Sequence, residues 1–391
     1  MSGLSFRHIA PPSRIFCGPT ALSALPGELD RVGAKRVLLV HGKSIGAQAV
    51  LLGQMRESLG SRLVGQFDGV VAQSPISVVE SASKAIAVWD ADALVSIGGG
   101  SAIVTSRAAN ILYSEARDLR ELATHRDPAG RLVSPKLNAP KLPHLIVPST
   151  PTTAFAKAGC AVWDPERQER LALFDPKARA QGVLLAPSVA LTAPAWLVIG
   201  AALNAFSMSI ESLQSRMDDP IAEAMLTHAV RVLVEELPTF MHDPGNADTR
   251  LRLMLAAQMA GEGSDYAGGG IAQAVSRAAG PLSVAPNGVL EAILLPASLI
   301  FCAAATASTT ARVASALGLA HMGDVGGGDP IVGAVEEFLR RLDVPTRLRE
   351  AGLQHEALGM VADRAMDDWT LEQAPRKPTH QELVDLLETV W

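Results

Sequence analysis

The run Ala93-Leu94-Val95-Ser96-Ile97 leads directly into Gly98-Gly99-Gly100-Ser101, after which Ala102 and Ile103 begin a helical pattern. Glycines let a backbone approach a pyrophosphate closely, and unpaired N–H groups at a helix start bind anions with help from the helix dipole. A tight strand-to-helix turn has the same composition, so this segment alone leaves both readings open. No other reactive side chains show comparable spacing. Cys17, Cys160 and Cys302 are an odd set without a CxxC pair, which suggests neither a disulfide framework nor a thiolate metal site. His125, His228, His242, His321, His355 and His380 fall in polar or amphipathic contexts and read as surface residues. His41 follows a strand candidate, where it either contacts a nucleotide or merely ends the strand.

A glycine turn acts on a ligand only if a strand and a helix hold it. Arg36–Val40, Leu63–Phe67, Ala93–Ile97 and His144–Val147 are apolar strand candidates. Between them, Gly46–Leu59 and Val78–Trp89 repeat apolar residues at three and four positions, the signature of amphipathic helices. This alternation predicts a parallel sheet wrapped by helices. From about Ala195 strand signals stop, and Ala/Leu/Met-rich helical patterns continue to Trp391, with Pro220, Pro238, Pro244 and Gly326-Gly327-Gly328 marking turns. Two domains are expected, 1–194 and 195–391.

Composition narrows the function classes. A net charge of −6 and the lack of any Lys/Arg block argue against nucleic acid or an anionic membrane as partner. Uncharged stretches at 181–210 and 292–311 are long enough to cross a bilayer. Pro187, Pro194 and Pro296 interrupt them, and both read as buried core. The start, Met1 to Phe16, carries Arg7, His8 and Arg14 among prolines and lacks a signal-peptide core. A cytoplasmic protein acting on a small molecule is expected.

Several segments together resemble the iron-containing alcohol dehydrogenase superfamily, nearest its maleylacetate reductase branch. SIGGGSAI (96–103) resembles the family's nucleotide loop, PHLIVPSTPTT (143–153) its strand ending in PTT, and LLAPSVALTAP (184–194) the segment closing its first domain. The opening FRHIAPPSRIFCGPTALSALPGEL (6–29), PTRLRE (345–350) and RKPTHQELVDLLETVW (376–391) look like the maleylacetate reductase branch. The fold implied is a Rossmann-like α/β domain followed by an all-helical domain, with the active site in the cleft between them and a homodimer as the working form. NAD or NADP would be held by His41, Gly42, Lys43 and Ser44, by Gly98, Gly99, Gly100 and Ser101, and by Ser149, Thr150 and Thr153. Val104 stands where many members have Asp, as the maleylacetate reductase branch allows, and Ala186 stands where Asp would precede Pro187.

The family holds a divalent metal with an Asp and a His four apart on one helix and two further His residues. GAALNAFSMSIESL (200–213) matches that helix, and the four positions here are Asn204, Met208, Gln273 and Asn287. Arg277 and Ala297 stand where further histidines would be expected. Three amides and a thioether are poor ligands for iron or zinc, so no metal is expected. Met208 and Glu211 read as core and structural residues. Arg277 reads either as a clamp for a small anionic substrate or as a salt-bridge residue.

Two functions follow from the resemblance. The first is a metal-independent NAD(P)H-dependent reductase of a small keto or enone acid in aromatic catabolism. Asn204, Gln273 and Asn287 would then offer N–H donors, and Tyr266 the proton, while Asn204 and Gln273 read equally as hydrogen-bonded buried amides and Tyr266 as a packed turn residue. The second keeps the fold without redox chemistry, as a hydrolase, lyase, isomerase or non-catalytic partner subunit. Lys43 lies in a turn without acidic residues, which leaves a 2′-phosphate acceptable.

Overall fold

The computed structural model describes residues 5–10, 12–215, 218–319 and 329–391. His321 and the Gly326-Gly327-Gly328 run lie outside the described residues. The described chain divides into two units, one formed by residues 10–194 and the other by residues 5–9 with 195–391. The expected division at 194/195 therefore needs one correction, because residues 5–9 pack with the helical part. His8 and Tyr266 hold them there, as described below.

The α/β unit is built on a six-stranded parallel sheet. Its strands are β1 (Arg14–Cys17), β2 (Val37–Gly42), β3 (Leu63–Val70), β4 (Ala93–Gly98), β5 (His144–Pro148) and β8 (Gly182–Leu185), ordered β1-β8-β5-β4-β2-β3. The antiparallel hairpin β6 (Gly159–Asp164) and β7 (Glu169–Phe174) stands apart from this sheet. Successive side chains on a strand point to opposite faces. Val37 and Leu39 accordingly pack with α1 (Leu25–Arg31) and α2 (Ala49–Leu59), whereas Leu38 and Val40 pack with α3 (Ile76–Val88) and α4 (Gly100–Glu115). The spacing of Val79, Ala82 and Ile86 gives α3 the single apolar face that this layer requires. Strands buried on both faces read as continuous apolar runs, which is why β2, β4 and β5 were visible in the sequence.

The second unit is helical. Its elements are α5 (Ala195–Leu213), α6 (Pro220–His242), α7 (Ala247–Ala267), α8 (Ile271–Ala279), α9 (Asn287–Cys302), α10 (Thr310–Ala316), α11 (Pro330–Arg341), α12 (Leu358–Met366) and α13 (His380–Val390). Among the described residues, two helical spans are long and apolar enough to cross a membrane, α5 and Asn287–Ala305, which continues α9 by a turn, yet 72% and 56% of their apolar windows are buried inside the protein. They meet at a backbone contact. A β-carbon on Gly288 would lie 1.9 Å from the Gly200 carbonyl oxygen and 2.5 Å from the Asn204 nitrogen. One on Gly200 would lie 2.7 Å from the Pro286 ring.

Because backbone cannot yield there, Gly288→Ala must push α9 away from α5. We expect a loss of roughly 3 kcal/mol or more, as for severe overpacking. Thermal denaturation checks it, and a variant melting with the wild type would show that the two helices do not meet at Gly288.

Candidate functional site

In the α/β unit, order β3-β2-β4 makes β2 the strand from which the chain first runs outward to β3 and then returns to β4 on the other side. Ligands of open parallel sheets bind at such a switch point, beyond the carboxyl ends of the strands. The two turns singled out in the sequence leave the sheet there. β2 ends in Gly42 and opens the short helix Lys43–Gly46, while β4 ends in Gly98 and opens α4 at Gly100. Ile45 packs beside Gly98, within 3.6 Å of where a β-carbon would stand.

Gly98 has φ of +137°, which favours glycine, and its carbonyl accepts from the Ser149 N–H at 2.9 Å. That bond lays the segment after β5 beside the glycine turn. A β-carbon on Gly99 would stand 3.4 Å from Thr150 Oγ1, and one on Gly100 would stand 3.0 Å from Thr152 Oγ1. Ser149, Thr150 and Thr153 are all buried. The residues predicted to hold a dinucleotide thus share one sheet edge, with a backbone cradle at the start of a 16-residue helix. That chemistry fits a pyrophosphate. His41 is buried, with Nδ1 at 3.1 Å from the Gly42 carbonyl and Nε2 at 3.4 Å from Gln66 Oε1, so its ring supports the turn.

One element of this edge gave no sequence signal. Gln73 and Ser74, after β3, both have φ in the left-handed region, at 64° and 49°. Ser74 Oγ donates to the Ser101 carbonyl at 3.2 Å and accepts from Thr105 Oγ1 at 2.9 Å, which pins the turn to the first residues of α4. Glycine or asparagine would have advertised such a backbone; glutamine followed by serine does not.

In the helical unit, the four positions expected to hold a metal carry side chains with other work. Asn204 Nδ2 donates to both oxygens of Glu291, at 2.9 and 2.7 Å. Met208 is buried, and its sulfur accepts from Ser264 Oγ at 3.2 Å. Gln273 is buried and donates to Glu211 at 3.4 Å. Asn287 is half-buried in the first turn of α9, with no side-chain hydrogen bond among the described residues. No cluster of three or more His, Cys, Asp or Glu among the described residues is arranged to hold a metal ion. Amide nitrogens and a thioether do not fit a site for iron or zinc.

Tyr266 and Arg277 each carry two readings. Tyr266 reads as a proton donor or as a packed residue, and the structure shows the packed one: its hydroxyl donates to the Ile9 carbonyl and its ring lies 4.1 Å from that of His8. His8 Nδ1 in turn meets Asp219 Oδ2 at 2.8 Å. Tyr266 therefore anchors the N-terminal segment. Arg277 was expected to grip a substrate carboxylate or to sit in a salt bridge, and the structure shows the salt bridge. Its Nη1 donates to Asp368 Oδ1 at 2.9 Å and Thr370 Oγ1 at 3.1 Å, and its plane lies 4.5 Å over Trp369. The N–H groups of Asn204 and Gln273 are turned onto protein carboxyls, which matches their reading as hydrogen-bonded amides rather than as donors to a substrate.

Those carboxyls organise the region. Glu211 accepts from the Ala272 and Gln273 N–H groups at 2.8 and 3.2 Å and from Ser298 Oγ at 2.8 Å. It caps the start of α8 from another helix, the structural role expected for it. Gly270 makes room, since a β-carbon there would fall 2.5 Å from the Glu211 carboxyl. Glu291, which sequence reasoning passed over, accepts from Ser276 Oγ at 2.9 Å as well as from Asn204. Burial pushes the Glu291 carboxyl up to about 8, against the lowering effect of Arg277, Ser276 and Asn204. Burial also raises Glu211.

A carboxyl that holds its proton more tightly when folded stabilises the protein fully below its ordinary value of 4.5 and loses that contribution as pH rises towards 8. Stability should therefore fall over this interval, by at most about 1.4 kcal/mol per pH unit from this group. Glu291→Gln should flatten the curve. Denaturant melts at several pH values test this, and equal slopes for variant and wild type would remove Glu291 as the source.

Comparison with known proteins covers both units. The family model described as iron-containing alcohol dehydrogenase matches residues 12–187, and the C-terminal model of the Fe-containing alcohol dehydrogenase family matches residues 198–391. Maleylacetate reductase 1 of Cupriavidus pinatubonensis is 26% identical over 369 residues, covering 94% of this chain and 92% of the relative. Lactaldehyde reductase of Escherichia coli is 26% identical over 381 residues, covering 96% and 97%. Among solved structures, maleylacetate reductase from Agrobacterium tumefaciens superposes with a TM-score of 0.79 at 20% identity, covering 99% of this chain and 98% of that one.

Proposed function

The chain belongs to the iron-containing alcohol dehydrogenase family, and from that premise we propose that it is a metal-independent NAD(P)H-dependent reductase of a small carbonyl compound, of the keto- or enone-acid kind. The observation that carries the reading is the pair of turns at the switch point of the sheet, Gly42–Ser44 and Gly98–Ser101, the second of them bonded through Gly98 to Ser149 of the Ser149–Thr153 segment. Similarity to maleylacetate reductase supports the substrate class, and lactaldehyde reductase, equally similar, keeps simple aldehydes in view. The four amide and thioether side chains support metal independence.

A bound nicotinamide supplies a hydride to a carbonyl carbon or its vinylogous position. The chain's part is to hold the dinucleotide and to keep the region orderly. N–H groups at the start of α4 meet the negative pyrophosphate, favoured by the helix dipole. Lys43, exposed in a turn without carboxylates, accommodates a 2′-phosphate as well as a free ribose. The substrate's anionic group is not assigned to Arg277, which Asp368 already neutralises. This reading carries with it a cytoplasmic homodimer. A redox-silent member of the same fold is the competing reading, and the inward-turned amides of Asn204 and Gln273 favour it.

Nucleotide binding separates the two. Gly99 has ordinary backbone angles and only van der Waals neighbours, so Gly99→Val should fold normally. Its side chain would occupy the pyrophosphate's approach and weaken NADH or NADPH binding roughly a hundredfold or more. Fluorescence titration of both proteins measures this. Failure of the wild type to bind either nucleotide, or equal binding by the variant, removes the reductase reading.

A further inference from the structure

Three helices of the helical unit converge on one carboxyl group. Asn204 of α5 and Ser276 of α8 both point hydrogens at Glu291 of α9, with donor–acceptor distances of 2.7 to 2.9 Å. Glu291 is 1% exposed and Ser276 is fully buried. Glu291 lies four residues after Asn287, one turn along the same face of α9. Asn204 and Asn287 are two of the positions that the resemblance assigns to metal ligands, and Glu291 is bonded to the first and one turn from the second. A metal site directs lone pairs inward onto a cation. Here N–H and O–H groups are directed inward onto a carboxyl oxygen, so the polarity of the site is inverted, and a cation at that point would face hydrogens.

The network extends outward without a cation. Ser276 Oγ also reaches the Gln273 carbonyl at 3.0 Å, and Gln273 Oε1 accepts from Arg277 at 3.4 Å. Gln273 and Ser298 both bond Glu211, so α8 is tied to α5 and α9 through two buried carboxyls. Removing either partner of a buried hydrogen bond strands the other, which makes such a network all-or-none.

We propose that Glu291 is a positioning residue that stands in for the bound cation, fixing Asn204 and Ser276 so that α5, α8 and α9 keep their arrangement without metal. The inference rests on the metal-free reading above and goes beyond it by naming the group that replaces the ion.

The test uses the purified full-length chain. Elemental analysis should find no stoichiometric iron or zinc, and the melting temperature should be unchanged by EDTA or by added Zn²⁺. Glu291→Ala removes the acceptor that Asn204 and Ser276 share and should lower the melting temperature by roughly 5–10 °C. Glu291→Gln, whose amide oxygen still accepts, should recover most of that loss. The losses of Asn204→Ala and Glu291→Ala should be strongly non-additive in the double variant, because both remove the same bond. If Glu291→Ala yields only aggregate, Glu291→Gln and Asn204→Ala carry the test, combined in one double variant. Stoichiometric metal, or a melt lowered by EDTA, overturns the metal-free reading and the inference with it. A metal-free protein in which Glu291→Ala melts with the wild type, Glu291→Gln recovers nothing, or the paired losses simply add overturns the inference alone.

Discussion

A carboxyl group taken out of water must find hydrogen-bond partners, because a buried polar group left unsatisfied costs about 1–3 kcal/mol, and more if charged. The helical unit buries two, Glu211 and Glu291, in helices otherwise lined with Ala, Leu and Ile. Meeting that demand fixes much else. Glu211 is satisfied by the start of α8, which sets the position and direction of that helix. Once α8 is placed, Gln273 and Ser276 face inward at fixed heights, and Ser276 reaches Glu291. Gly270 has no side chain because the Glu211 carboxyl fills that space. Gly288 has none because α9 must come close enough to α5 for Asn204 to bridge to Glu291.

The α/β unit solves a different problem with backbone alone. Its turns have little side chain to offer a ligand, and the cradle consists of N–H groups, glycines and small hydroxyls. The arrangement therefore depends on strand register: Gly98 pairs with Pro148 at the ends of β4 and β5, which brings the two turns to the same height. Ser74 adds a third point of attachment through Ser101 and Thr105.

What the sequence made legible follows from how local each cause is. Apolar runs buried on both faces identified β2, β4 and β5, and three-and-four spacing identified α2 and α3. β1 escaped because Arg14–Cys17 is four residues at a sheet edge, largely exposed, with no alternation to read. The β6–β7 hairpin escaped because its alternating pattern sits among charged residues such as Asp164, Glu166 and Arg167. The nucleotide turns were legible as glycines after a strand, but the Gln73-Ser74 turn was not, since neither residue type signals a positive φ.

Side-chain roles were least legible where the partner is distant in sequence. Arg277 was weighed as a clamp or a salt bridge, and the deciding residue, Asp368, lies 91 positions away. Tyr266 looked free to donate a proton until Ile9, 257 positions away, supplied its acceptor. Met208 and Glu211 are a core and a structural residue, as their places on an apolar helix suggest, although the groups they bond, Ser264, Ala272, Gln273 and Ser298, lie on other helices. Glu291 shows the reverse error. Its signal is its own presence in an apolar helix, not the absence of a familiar ligand. An acid inside the apolar run Leu290–Leu295 is costly unless something holds it, so the sequence already required a partner without naming it. The amides at 204 and 273 and the buried acids at 211 and 291 are then one arrangement: each acid lies where backbone and side-chain donors of neighbouring helices reach it.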